Sequence, residues 1–213
     1  MLIDQERLNG LCSSGFTLNI SREILKFEGY PFDNATLIVA VNLWCSDQQE
    51  AMKKYGHISN WNTSCVTNMK RLFLDKHDFN ENISSWDVSN VRCMSFMFSG
   101  AKSFNQFIGN WITSSVTDMS YMFHDAYSFN QSINDWNVSK VTNMLRMFSN
   151  AFDFNQPIRN WDVSNVIKMS DMFIGARTFN QPIGNWNVSN VTNMSYMFHS
   201  ASSFNQSIDD WNV

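Results

Sequence analysis

Four histidines, four cysteines and nineteen carboxylates are the side chains of this chain with the most chemistry to offer. Their spacing argues against each kind of site in turn. His124 and His199 share one position in a repeat, yet three repeats separate them. That is roughly 14 Å at parallel-strand spacing, too far for two ligands of one metal ion. His57 and His77 have no recurring Cys, His or carboxylate partner and read as structural or solvent-facing. Cys12, Cys45, Cys65 and Cys93 all fall in the first half, with Cys65 and Cys93 at different repeat positions. No disulfide framework recurs, and the expectation is free thiols in a reducing compartment. No acid is paired with a base at one unique place, so the sequence predicts no catalytic centre, no metal and no cofactor. Asp135 and Asp162 flank tryptophans on an outward strip rich in Asn and Asp. Their oxygens suit a hard cation or a hydrogen-bonding partner, but turn-forming Asx residues are the stronger reading.

The elements that would position any site follow from a repeat. Trp61, Trp86, Trp111, Trp136, Trp161, Trp186 and Trp211 stand 25 residues apart. Met69 to Met194, Phe73 to Phe198 and Asn80 to Asn205 recur in the same register. A fixed period of this length over six units means a solenoid of stacked coils. Met194, Met197, Phe198 and Ala201 stand at i, i+3, i+4 and i+7, which predicts a short helix. Ile208, Trp211 and Val213 give a leucine-rich-repeat spacing, which predicts a short strand around the Trp. The expected class is therefore α/β, a leucine-rich-repeat-like solenoid with one short parallel strand and one short helix per coil. Trp, Val, Met, Phe, Ala and Ile should point inward. The recurring Asn should bond turn backbone of its own and adjacent coils, because an unpaired buried amide is costly.

Three regions are expected: a lead-in over residues 1–35, a degenerate capping coil over 36–60, and six coils over 61–213 that end by opening a seventh. Phe16, Leu18 and Ile20 alternate as in a strand, and a helix is expected over Arg22–Phe27. Asp47 and Gly56 bracket a polar helix, Gln48–Tyr55, that would close the first coil. The start has Asp4 and Glu6 and no apolar run, unlike a secretory signal, so the default compartment is the cytoplasm. No apolar run of membrane-spanning length occurs. Lys and Arg are scattered singly, which speaks against nucleic acid.

At W-[ND]-V-S-N-V-T-N-M-S-x-M-F-x-x-A-x-x-F-N-Q-x-I, the chain closely resembles the BspA-like leucine-rich-repeat surface proteins over Trp61–Val213. The segment Ala40–Trp61 looks like the lead-in such proteins often carry. The resemblance implies a solenoid without enzymatic activity. Some members are similar in role to adhesins that bind host extracellular-matrix proteins, so a surface location is also implied.

The letters that change between copies are the candidates for recognition. One outward site carries Arg71, Phe96, Tyr121, Arg146, Asp171 and Tyr196, and another carries His77, Lys102, Tyr127, Phe152, Arg177 and Ser202. Exposed aromatics beside Arg are the residue types of interface anchors. Phe96, Phe107, Ile112, Tyr121, Tyr127, Arg146, Phe152 and Tyr196, with Asp135 and Asp162, form the expected partner-binding set. The expected partner is another protein. A coil opened at Trp211 also favours end-to-end self-association, which is the competing reading of a structural or coat element.

Overall fold

The computed structural model describes residues 31–212. The expected strand through Phe16–Ile20 and helix over Arg22–Phe27 lie outside the described residues. Helix α1 spans Asn34–Ser46 and α2 spans Gln48–Tyr55, followed by a 3-10 turn at Ile58–Asn60. Asp33 opens α1 with a capping box: its carboxylate accepts the Thr36 N–H (2.8 Å), and the Thr36 hydroxyl accepts the Asp33 N–H (3.0 Å). Asp47 caps α2 through the Glu50 N–H, and Gly56 ends it at φ 71°.

These helices seal the first coil. Leu37, Ala40, Val41 and Trp44 stand at i, i+3, i+4 and i+7 on α1 and are buried. Trp44, Phe32 and Tyr55 gather around the Trp61 ring at centroid distances of 5.8, 5.1 and 6.0 Å. An open coil edge would leave backbone N–H groups unpaired. The Asn34 amide oxygen takes two of them, from Thr67 (2.9 Å) and Asn68 (3.1 Å). Cys65 is disulfide-bonded, while Cys45 and Cys93 are free. That corrects the expectation of free thiols throughout.

Each later coil is a closed circuit of turns. In the methionine segment, alternate N–H groups cross to the next coil: Met69, Arg71, Phe73 and Asp75 donate to the carbonyls of Cys93, Ser95, Met97 and Ser99 at 2.8 to 3.0 Å. Between them, Leu72 donates to Met69 (3.2 Å) and Lys76 to Phe73 (3.1 Å). Arg71 and Asp75, third in each of those turns, have positive φ (60° and 56°). That is the pattern of type II turns. The helix expected over Met194–Ala201 and its counterparts is therefore absent. Left-handed residues at Tyr196 and Ser200 interrupt helical φ, and in the counterparts alternate N–H groups that a helix would bond four residues back go to the next coil.

The strand expected around Trp is absent too. Ile-x-x-Trp closes a turn, with the Trp86 N–H on the Ile83 carbonyl (3.1 Å). Parallel pairing occurs elsewhere, as single bridges linking Asn68, Cys93, Asp118, Asn143, Lys168 and Asn193 in order. Among the described residues no bridge extends into a strand. Over the described residues the molecule is a repetitive solenoid with helices only at its cap.

The core consists of columns, each residue on its own copy. Phe98, Phe123, Phe148 and Phe173 stack 5.6 Å apart. Phe104, Phe129, Phe154 and Phe179 stack at 6.0 Å. The two columns interlock within a coil at 3.9 to 4.0 Å, as for Phe123–Phe129 and Phe148–Phe154. An indole N–H inside the core needs an acceptor; from Trp86 to Trp211 it finds the Ile carbonyl of the preceding coil, as Trp136 does at Ile108 (3.0 Å), while Trp61 donates to the Gly56 carbonyl (3.2 Å). The recurring Asn runs alongside: the Asn130 amide oxygen accepts the Asn155 N–H (3.0 Å) and the Gln156 amide (2.9 Å). The same pair of bonds recurs from Asn80 to Asn180.

Candidate binding surface

The Trp-flanking strip is occupied with its own turns. Asp162 accepts the Ser164 N–H (3.1 Å) and hydroxyl (2.6 Å), and Asn137 and Asn187 do the same for Ser139 and Ser189. These are Asx turns. Asp135 is exposed and bonded only by the neighbouring Asn134 amide, at 3.4 Å. No group of three or more His, Cys, Asp or Glu among the described residues is placed to hold a metal ion. Ile112 breaks this series. It stands where five other coils have Asn or Asp, gives up the Asx turn and is 62% exposed. Phe107 is 50% exposed, its ring lying back over Gly109.

The methionine turns carry a different surface. Every coil has two left-handed positions there, four residues apart. The second holds Asp75, Gly100, Asp125, Asn150, Gly175 and Ser200, the small and polar types that tolerate this region. The first holds Arg71, Phe96, Tyr121, Arg146, Asp171 and Tyr196, at φ between 54° and 60°. For bulky side chains that backbone costs roughly 1–2 kcal/mol each.

Those bulky residues form a column. The guanidinium of Arg71 lies over Phe96 (5.3 Å), Phe96 stacks on Tyr121 (4.3 Å, 7°), and Arg146 lies over the far side of Tyr121 (5.8 Å). Arg146 then pairs with Asp171 (3.4 Å). Two positions past the second left-handed site, a parallel column repeats the order one coil later. Lys102 lies over Tyr127 (5.6 Å), Tyr127 stacks on Phe152 (4.5 Å, 11°), and Arg177 lies over Phe152 (4.2 Å). Each column thus reads cation, ring, ring, cation across four coils. Each cation–ring contact contributes about 0.5–1 kcal/mol at exposed sites.

Of the sequence-predicted set, Phe96, Tyr121 and Arg146 share the first column and Tyr127 and Phe152 the second. Phe107 and Ile112 lie on the turns either side of Trp111, and no ring contact joins Phe107 to a column. Tyr196 is 68% exposed and stands against His199 alone (5.9 Å). Asp135 and Asp162 belong to the Trp strip. Sequence reasoning left Arg71, Lys102 and Arg177 out of the set, although the 25-residue spacing puts each one coil from its aromatic. Among the described residues no helix is long and apolar enough to cross a membrane.

At the other end, Met194, Phe198, Phe204 and Trp211 are half-buried where earlier copies are buried. Met194, Phe198 and Trp211 border an open depression with Ile208 and His199. The opposite end of the described core is covered by α1 and α2.

No curated protein and no solved structure matches the chain. One family model does, over residues 45–157 and again over 128–213, which together take in most of the chain and all of the tryptophan repeats. The chain belongs to the family described as Mycoplasma protein of unknown function, DUF285.

Proposed function

We propose that this chain is a non-catalytic binding scaffold that recognises another protein through the face carrying the two columns. The observation that carries the reading is the contrast between the two left-handed positions. One is filled as turn chemistry demands. The other keeps Arg, Phe and Tyr against the backbone preference, and local strain of this kind concentrates at functional sites. Aromatic and Arg side chains are also the types enriched at interface centres. The likeness of the 25-residue lettering to leucine-rich-repeat surface proteins of the BspA kind supports an adhesin-like role, with a host or matrix protein as partner.

The test is partner capture from extracts by immobilised protein, compared among wild type, Tyr121→Asn with Phe152→Ala, and Lys140→Ala. Lys140 is exposed on the Trp side of the coil. A protein retained by wild type and Lys140→Ala but lost by the double variant is the expected result. Equal retention by all three contradicts the assignment of the face.

A further inference from the structure

The columns also define what their partner must look like. Both faces of each ring pair are covered. Phe96 and Tyr121 cover each other's inner faces, with Arg71 and Arg146 over the outer ones. Tyr127 and Phe152 are closed in the same way by Lys102 and Arg177. Nucleobases bind such platforms by stacking on a free ring face, and no such face remains here. What the columns present outward is ring edges, which carry partial positive charge, and four cations.

Those cations are not equivalent. Arg146 is neutralised by Asp171. Arg71, Lys102 and Arg177 pair with no carboxylate among the described residues; rings hold them in place instead. Other carboxylates on these turns are engaged locally. Asp125 lies between His124 (3.4 Å) and the Asn150 amide (2.8 Å), Asp118 accepts the Ser120 N–H (2.9 Å), and an Asp75 oxygen lies against Gly100. Asp78 and Asp153 are exposed beside the second column and temper its positive field.

We infer that the face binds an acidic segment of the partner protein, laid in extended form along the columns with its carboxylates on Lys102, Arg177 and Arg71. This rests on the scaffold reading above and adds the partner's chemistry. Lys102 and Arg177 are three coils apart, roughly 14 Å at parallel spacing. An extended chain covers that in about four residues at ~3.3 Å each. An even step keeps both side chains on one side of the strand. The recognised pattern is therefore an acid at i and i+4 with small residues between.

Fluorescence anisotropy tests this with a labelled peptide of about twelve residues, long enough to span three coils. It carries Glu at every fourth position among Ser and Thr. Peptides with Lys or Gln in place of Glu, and a thymidine oligonucleotide, are the comparisons. The Glu peptide should bind, more weakly as salt rises. Lys102→Ala with Arg177→Ala should weaken it about five- to tenfold, as two exposed ion pairs allow. Asp153→Asn should tighten it, and neither change should alter the m-value of unfolding. Preference for the Lys peptide or the oligonucleotide would overturn the inference, as would equal affinity of the Lys102/Arg177 variant. Binding of the Gln peptide, lost in Tyr121→Asn with Phe152→Ala, would overturn the acidic partner and leave the scaffold standing. Binding of no peptide would also overturn it, while partner capture from extracts still judges the scaffold separately.

Discussion

Phe96 and Tyr121 stand one coil apart with ring centroids 4.3 Å from each other and planes within 7°, and both sit on left-handed backbone (φ 59° and 57°). The contact and the strain share one cause. The chain must turn at that position to send alternate N–H groups to the next coil, and the turn throws the side chain outward in register with its copies. A surface column is thus a by-product of the coil geometry, and its lettering is free to vary.

Tyr196 isolates the backbone term. It has the same φ (56°) but no stacked ring beside it. Tyr196→Gly should therefore stabilise the protein by about 1 kcal/mol, and Tyr196→Ala should not, because alanine keeps the left-handed penalty. Urea unfolding of the two variants checks this.

Gly100 shows the reverse case. Its φ is 71°, and a Cβ there would overlap an Asp75 carboxylate oxygen. Gly100→Ala should cost about 2 kcal/mol from strain and overlap together. In an Asp75→Gly background the overlap vanishes, so the same substitution should cost only about 1 kcal/mol. Thermal melts of the four proteins in this cycle give the coupling.

Asn130 tests the amide ladder. Removing its side chain by Asn130→Ala leaves the half-buried Asn155 N–H and Gln156 amide without their acceptor. A loss of about 1–3 kcal/mol is expected. Asn130→Asp keeps an acceptor oxygen and should recover most of it at neutral pH, as denaturant midpoints will show.

The cap responds to acid. Burial alone would raise the Asp33 carboxyl, but the N–H and hydroxyl of Thr36 and the Ala35 N–H outweigh it and hold the pKa below the usual value. A folded-state pKa below the unfolded one contributes stability above the unfolded value, and that contribution is lost as pH falls through the folded one. Wild type should therefore lose stability relative to Asp33→Asn as pH drops below about 4. Melting temperatures between about pH 6 and pH 2 measure the difference.

The tryptophan and phenylalanine spacing made the solenoid, its core and the asparagine ladder legible in the sequence. α2 was equally plain, since Asp47 and Gly56 mark its ends. The interior of the coil was not. Met194, Met197, Phe198 and Ala201 keep helical spacing, but inward positions of successive type II turns produce the same i, i+3, i+4 pattern. Nothing in Arg71, Phe96 or Tyr121 announces left-handed backbone, because these types avoid it. The exposed aromatics were visible as variable letters, and the 25-residue spacing already set Lys102 and Arg177 one coil from them; that these cations lie over the ring faces took the structure to show.

The most direct measurement is urea unfolding of Phe96→Asn with Tyr121→Asn beside its partner capture. Asparagine accepts the left-handed region, so relief of strain offsets part of the lost ring packing. The expected result is a loss of about 2 kcal/mol or less, an unchanged m-value and no retained partner. A loss of about 4 kcal/mol or more, or undiminished capture, would make the column part of the scaffold and contradict its role in recognition.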